Sequence, residues 1–354
     1  MKGIEKVLYS LRETFSAYGY NEYKMNKFEE YDLYVKNKDF LISDNVITFT
    51  DTNGKLLALK PDVTLSIVKN TKVEKGVNKV FYSENVYRVS SKSNGYKEIP
   101  QMGLECIGNL DAYNVAEVIT LAKESLEAIS NNFVLDLSPV GIVNDIIAEI
   151  NLTNSVKSLV YKCINEKNVH ELRKILTDNG VNNECVEILT QLINLYGNVE
   201  TVIPALKNIL FGRKQAKSVL EFEEVILSLD ESVKDKINVD CSSCENVKFY
   251  NGITFKGYVD GVPKAVLSGG RYDGLLKIMG KDCGAIGFAI YPDEFDRMFI
   301  EKREYDVDVL INYSETTKVK DVLAKVKELT AQGKTVTALK SVPENVTYRE
   351  IIEI

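Results

Sequence analysis

The stretch from Phe81 to Gly108, FYSENVYRVSSKSNGYKEIPQMGLECIG, gathers side chains suited to holding a small charged molecule. Its pattern predicts two β-strands joined by a long polar loop. The first strand ends in a cation, Arg88, and the loop carries Lys92 and Lys97 among flexible Ser, Asn and Gly. The returning strand brings Gln101 and Glu105. Residues four apart on a strand point to the same face, so an amide and a carboxylate look into one space. A cation, an amide and a carboxylate together suit a zwitterion such as an amino acid.

Two further strings could add to such a site. In Leu59-Lys60-Pro61-Asp62-Val63-Thr64, the proline ends a strand, and Asp62 and Thr64 share a face if the chain stays extended. A carboxylate and a hydroxyl so placed can grip an ammonium by charge-assisted hydrogen bonds. The same residues can instead cap the helix that follows. The second string is a pair: Phe249-Tyr250-Asn251-Gly252-Ile253-Thr254-Phe255, then Ser268-Gly269-Gly270-Arg271-Tyr272-Asp273-Gly274-Leu275. The glycines permit a tight turn and close backbone approach. The GK[ST] ending of a phosphate-binding Walker loop is absent. Tyr250 and Tyr272 read either as site residues or as core tyrosines of a sheet.

Composition narrows the field. The chain of 354 residues is 45% hydrophobic and 27% charged, ordinary for a globular protein of two or three domains. A formal net charge of -7 and only eight arginines argue against a dedicated nucleic-acid surface. MKGIEKVLYSLRETF lacks the apolar core of a signal peptide, and no run of about 18 apolar residues exists. Six scattered cysteines make no disulfide framework, so a cytoplasmic protein with reduced thiols and no membrane contact is expected. Only Cys241-Ser-Ser-Cys244 has metal-ligand spacing. A structural zinc site wants four ligands, so no metal and no cofactor are expected. The sole histidine, His170, lies on a polar helix start, which leaves no histidine for general acid–base work.

The elements that must position these residues follow from periodicity. Ile4, Val7, Leu8, Leu11 and Phe15 form one helical stripe, stopped by Gly19. Short strands follow at YNEYKM, NVITFTD and KLLALK, then a helix from Thr64 to Asn70, the hairpin, a long helix over 114–129 and a strand at 133–137. From 141 to 236 the pattern is helical throughout, an all-α insertion. INVDCSS, KFYNGITFKGYV, PKAVLSGG and AIGFAI read as strands, with helices near Tyr272 and at PDEFDRMF. Residues 305–354 read as a βαβ-like fragment, too short for an ordinary domain. The expected class is α+β: a core of 1–140 and 237–303, the insertion, and the C-terminal fragment.

The hairpin resembles the second signature motif of class II aminoacyl-tRNA synthetases. The FYNG and SGGRYDG strings, in order after it, resemble the two histidine-recognition motifs of the histidyl-tRNA synthetase family. That resemblance covers roughly residues 3–300. It implies a six-stranded antiparallel sheet with flanking helices. It also implies that Asp62 and Thr64 bind the α-amino group of histidine and Arg88 its carboxylate. Gln101 and Glu105 would complete the pocket, and Tyr250 and Tyr272 would line the imidazole side.

The chain departs from the synthetase pattern where the nucleotide is used. An arginine that acts in activation is replaced by Glu245, a charge reversal where phosphate must be held. After Gly287-Phe288-Ala289-Ile290, the nucleotide-binding arginine is replaced by Glu294, and the bulky Tyr291 stands where a small residue makes room for adenine. Asp62 stands in place of a longer glutamate, and Lys97 in place of an arginine. The anticodon-binding domain is expected to be reduced to the C-terminal fragment. This combination, with the strings ITFKGYVDGVPKAVLSGGRYDGLL and AIGFAI, resembles the regulatory subunits of ATP phosphoribosyltransferase, synthetase paralogues of bacterial histidine biosynthesis. The resemblance implies a non-catalytic, self-associating chain that activates a short catalytic subunit and confers inhibition by L-histidine, without tRNA. A working histidyl-tRNA synthetase, or an amino-acid sensor of another pathway, are the other readings.

Overall fold

The computed structural model describes residues 3–37, 46–72, 76–89, 95–244, 247, 249–299 and 304–354. Two compact units divide the chain, Met1–Phe299 and Ile300–Ile354. The first unit begins with α1 (Gly3–Ala17), whose Val7, Leu11 and Phe15 are buried. Then come β1 (Asn21–Glu22), β2 (Phe28–Glu30), α2 (Tyr31–Lys36), β3 (Thr48–Thr50), β4 (Leu56–Leu59) and α3 (Thr64–Asn70). The hairpin strands β5 (Val77–Val89) and β6 (Tyr96–Gly108) pair in one unbroken antiparallel register, from Val77 opposite Gly108 to Val89 opposite Tyr96. Even-numbered residues of β5 and odd-numbered residues of β6 therefore share a face, so Tyr82, Glu84 and Arg88 join Gln101 and Glu105.

α4 (Ala112–Ile129) opens with a capping box between Asp111 and Asn114. β7 (Phe133–Ser138) follows, and then the insertion: α5 (Val140–Glu149), α6 (Asn154–Asn165), α7 (Val169–Asp178), α8 (Asn183–Leu192), β8 (Tyr196–Asn198), α9 (Val199–Ile209), α10 (Ala216–Leu227) and α11 (Glu231–Lys234). The chain returns through β9 (Ile237–Asp240), β10 (Thr254–Val259), β11 (Leu267–Arg271), α12 (Asp273–Ile278), β12 (Gly284–Ile290) and α13 (Pro292–Phe295).

The large sheet has nine strands in the order β1-β5-β6-β12-β11-β10-β7-β9-β8, which corrects the expected six. The inner block from β5 to β7 is antiparallel throughout. β1 adds parallel to one edge. At the other, β9 lies parallel to β7 and β8 antiparallel to β9. The insertion is therefore not all α, since β8 belongs to it and extends the sheet. Only three residues long and flanked by helices, β8 carries no alternation that a sequence pattern could expose. A separate three-stranded sheet runs β2-β4-β3.

α1 and α4 cover the back of the large sheet. Phe15 meets Phe81 and Phe288, each at 6.0 Å between ring centroids. Leu126 of α4 fills the space above Gly257, where an added Cβ would come within 2.5 Å of it. With apolar side chains committed to the back, polar ones face the front.

The second unit consists of β13 (Val307–Asn312), α14 (Val319–Ala331), β14 (Val336–Leu339) and β15 (Tyr348–Glu353). β13 is central and parallel to both neighbours. The tail thus supplies a third strand that the βαβ reading lacked.

Candidate functional site

One cavity of about 1010 Å³ opens on the front of the large sheet, and Asp62, Thr64, Arg88, Gln101, Glu105, Tyr250, Tyr272 and Glu294 all line it. The structure therefore brings together every proposed site residue that it describes. Glu245 and Lys92 lie outside the described residues.

The segment before α3 is pinned from below. Lys60, 1% exposed, pairs with Glu84 of β5. Tyr87 donates its backbone N–H to the Lys60 carbonyl at 2.9 Å, and Arg88 Nε donates to the Pro61 carbonyl at 3.0 Å. These ties fix Asp62 at the cavity wall. The chain is not extended there, because Thr64 is already the first residue of α3. Asp62 Oδ1 accepts the Leu65 backbone N–H at 2.9 Å, so it serves the helix start while lining the cavity. Burial raises its pKa, against the pull of the Leu65 and Thr64 amides and the Arg88 charge. Arg88 Nη2 is buried without a hydrogen-bond partner. An unpaired guanidinium nitrogen facing a cavity leaves a place for an anion.

Glu105 is the most enclosed acid of the site, at 2% exposure. Thr64 Oγ1 donates to its Oε1 at 2.8 Å, and the Tyr272 hydroxyl donates to its Oε2. Burial pushes its pKa up to about 8, Asp62 adds to the rise, and the two hydroxyl donors oppose it. Tyr272 is buried and Phe249 stacks on it at 5.2 Å, with Tyr250 edge-on to Phe249 at 4.8 Å. Tyr272 is therefore both a core residue and part of the cavity wall. Phe249 to Ile253 lie outside any strand, since β10 starts only at Thr254. This corrects the reading of KFYNGITF as one strand, and it frees the loop to turn Tyr250 toward the site.

Glycines shape the floor. A Cβ on Gly287 would fall 1.8 Å from Glu105 Oε2, and one on Gly103 would fall 2.6 Å from the Tyr82 hydroxyl. Tyr82, buried beside the carboxylates, was not singled out from sequence, although it shares a strand face with Arg88. At the outer end, the Tyr291 hydroxyl hydrogen-bonds with Ser268 Oγ at 2.7 Å, so its ring occupies part of the front. Glu294 pairs with Lys264 at 2.7 Å. A third wall comes from the insertion: Ser158, Tyr161, Lys162, Asn165 and Glu166 line the cavity from one stripe of α6 and its C-cap. No sequence signal marks this stripe, which reads as a solvated helix face.

Cys241 and Cys244 are buried in the turn after β9 rather than on the strand, and burial raises both thiol pKa values. Among the described residues, no His, Cys, Asp and Glu cluster could hold a metal ion, and no helix is long and apolar enough to cross a membrane. His170 is exposed on α7.

Residues 1–295 match the histidyl-tRNA synthetase family. A relative from Caldanaerobacter subterraneus, named ATP phosphoribosyltransferase regulatory subunit, is 34% identical over 79% of this chain and 74% of its own. The chain belongs to the ATP phosphoribosyltransferase regulatory subunits, within the histidyl-tRNA synthetase family. The fold agrees. A Bacillus halodurans protein described as an ATP phosphoribosyltransferase regulatory subunit/histidyl-tRNA synthetase superposes with a TM-score of 0.81, at 21% identity, over 99% of this chain and 93% of that one. A chain of the ATP phosphoribosyl transferase (HisG:HisZ) complex from Thermotoga maritima superposes with a TM-score of 0.62, at 17% identity, over 81% and 97%.

Proposed function

We propose that this chain is a non-catalytic, histidine-sensing subunit of an ATP phosphoribosyltransferase. It activates a short catalytic chain and makes that chain sensitive to L-histidine. The observation that carries the reading is the contrast between the two ends of the cavity. The inner end presents what a zwitterionic amino acid with a polar ring requires. Asp62 stands for the ammonium, the free Nη2 of Arg88 for the carboxylate, and Glu105 with Tyr250 and Tyr272 for the imidazole. Charge-assisted bonds at both termini supply orientation as well as affinity. The outer end, where activation of an amino acid needs cations on phosphate, instead holds the Glu294–Lys264 pair and the Tyr291 ring.

Regulation then follows from linkage. Histidine shifts the assembly only as far as it binds the inhibited state better than the active one. The partner assignment draws on the names of the relatives and on the Thermotoga complex. Self-association belongs to the same reading, with the exposed Phe28, Phe49 and Leu56 of the small sheet as the apolar surface available for it. The test is a transferase assay of the short catalytic chain, with and without this protein and across histidine concentrations. Activation by this chain and histidine inhibition only in its presence are expected. A catalytic chain equally active and equally inhibited alone would overturn the proposal.

A further inference from the structure

The helical insertion touches the site through one helix end, and the contacts there are specific. Asn165, the last residue of α6, uses its amide like a peptide group. Its Oδ1 accepts the Cys244 backbone N–H at 2.7 Å, and its Nδ2 donates to the Cys244 carbonyl at 3.2 Å. Two residues on, Lys167 has φ of 52°, the one positive value outside glycine among the described residues. Its Nζ lies 3.2 Å from Asp240 and over the Tyr196 ring at 5.1 Å. Asp240 Oδ1 in turn accepts the Ser242 backbone N–H at 2.9 Å and hydroxyl at 2.6 Å. Segment 240–244 is thus tied to α6 at both its ends. A non-glycine residue held in the left-handed region, where L side chains are strained, shows that the surroundings enforce this turn.

The same loop is tied to the insertion further on. Gly141, at the start of α5, donates its N–H to the Gly252 carbonyl at 2.9 Å. A Cβ on Gly141 would lie 3.1 Å from the Asn251 carbonyl, so the approach is close. Tyr161 of α6 donates to Asn144 Oδ1 of α5 at 2.8 Å, which couples the two helices. Between Cys244 and Gly252 stand Phe249 and Tyr250, part of the aromatic wall beside Tyr272 and Glu105. α5 and α6 therefore clasp the loop of that wall at its two ends, and the polar stripe of α6 faces the same cavity.

We infer that the insertion reads the occupancy of the cavity, with Asn165 as the positioning residue that passes the state of the Tyr250 loop to α6. This rests on the proposed binding of histidine at the inner end. A ligand that orders Tyr250 restricts the loop, and a loop held at both ends by helices passes that restriction to them. The CxxC string gains a role on this reading, as the buried anchor between β9 and the loop.

The experiment is hydrogen exchange on the full chain, with and without saturating L-histidine, for wild type, N165A, N165D and K167G. Asn165 is exposed, so its loss leaves the core intact. In wild type, histidine should slow exchange in β6 and in α6. In N165A, β6 should still be protected while the response of α6 is lost, and affinity should fall about fivefold for the lost hydrogen bonding. N165D keeps the acceptor for the Cys244 N–H and should respond in between. K167G relieves the strained φ while cutting the tie to Asp240, so a blunted α6 response there cannot come from a weakened fold. Protection of β6 without α6 in wild type, or an α6 response unchanged in N165A, would overturn the inference and leave histidine binding standing. No protection at either place would remove the histidine reading and this inference with it.

Discussion

Replacing Glu105 by Gln should make the protein more stable at neutral pH and remove most of a pH dependence. In the folded chain Glu105 is buried, and its pKa is pushed up to about 8 from an ordinary 4.5. That difference corresponds to about 5 kcal/mol between the acid and alkaline limits, at about 1.4 kcal/mol per pH unit. The sign follows from proton affinity. The folded state holds the proton more tightly than the unfolded one, so this contribution is fully present below pH 4.5. It fades as pH rises and is gone above 8. At pH 7 about half or more of it is already lost, since folding must protonate a carboxyl that is ionised in the unfolded chain. Glutamine has no charge to lose. Its carbonyl can accept from Thr64 Oγ1, and its amide can donate to the Tyr272 oxygen, so both neighbours stay satisfied. The assay is urea unfolding of both proteins at one-unit steps from pH 5 to pH 9. The stability gap in favour of Glu105→Gln should widen by about 1.4 kcal/mol per unit up to pH 8 and then level off. Parallel curves would show that Glu105 is ionised in the folded protein at neutral pH and that burial does not govern it. The same substitution should weaken histidine binding, so the carboxylate is retained at the expense of stability, as strained functional groups often are.

Asp62→Ala should weaken L-histidine binding by about tenfold to a hundredfold, from the roughly 1.5–3 kcal/mol of a charged hydrogen bond. Unchanged affinity in calorimetry would place the amino group elsewhere. Tyr250→Ala should leave activation of the catalytic chain intact while raising the histidine concentration needed for inhibition, and overlaid inhibition curves would move the sensor off this cavity. Lys60→Ala strips the buried partner from Glu84 and should destabilise the fold by about 3–5 kcal/mol, somewhat less if water reaches the partly exposed carboxylate. A change under about 1 kcal/mol in urea unfolding would mean that the pair does not pin this segment. The isolated chain should show no histidine-dependent exchange of pyrophosphate into ATP, and exchange above background would restore the synthetase reading.

The parts of the site that sequence reading reached are those governed by a short period. Gln101 and Glu105 could be placed on one face because strand side chains alternate strictly, and the unbroken register of β5 and β6 carries that alternation across to Arg88. Asp62 was ambiguous for a physical reason. A carboxylate before a helix can serve the helix start or a ligand, and here one oxygen does the first while the residue still faces the cavity. The width of the sheet was out of reach, because β1 and β8 have two and three residues and owe their pairing to neighbours distant in sequence. The α6 wall was out of reach for the same reason. Its polar stripe has the pattern of a solvent-facing helix, and only the tertiary fold turns it inward.

Glycine offers a way into this harder part. Gly287 was legible as one letter of a GFAI strand, yet its significance is volumetric. Any side chain there would displace the Glu105 carboxylate from Tyr272 and Thr64, because even a Cβ would fall 1.8 Å from Oε2. Gly103, on the neighbouring strand, clears the space for the Tyr82 hydroxyl in the same way. A glycine inside a strand weakens it by leaving no side chain to pack. Two of them beneath a buried acid and a buried phenol are therefore better explained by the space they leave than by the sheet they interrupt. The argument extends to Gly270, with φ of 158° and room for no Cβ against the Tyr250 ring at 2.9 Å. Glycines of GxE, GGR and GFA thus outline the inner end of the cavity from below, as the polar residues do from the sides, and each Gly→Ala change there should injure binding before it injures the fold.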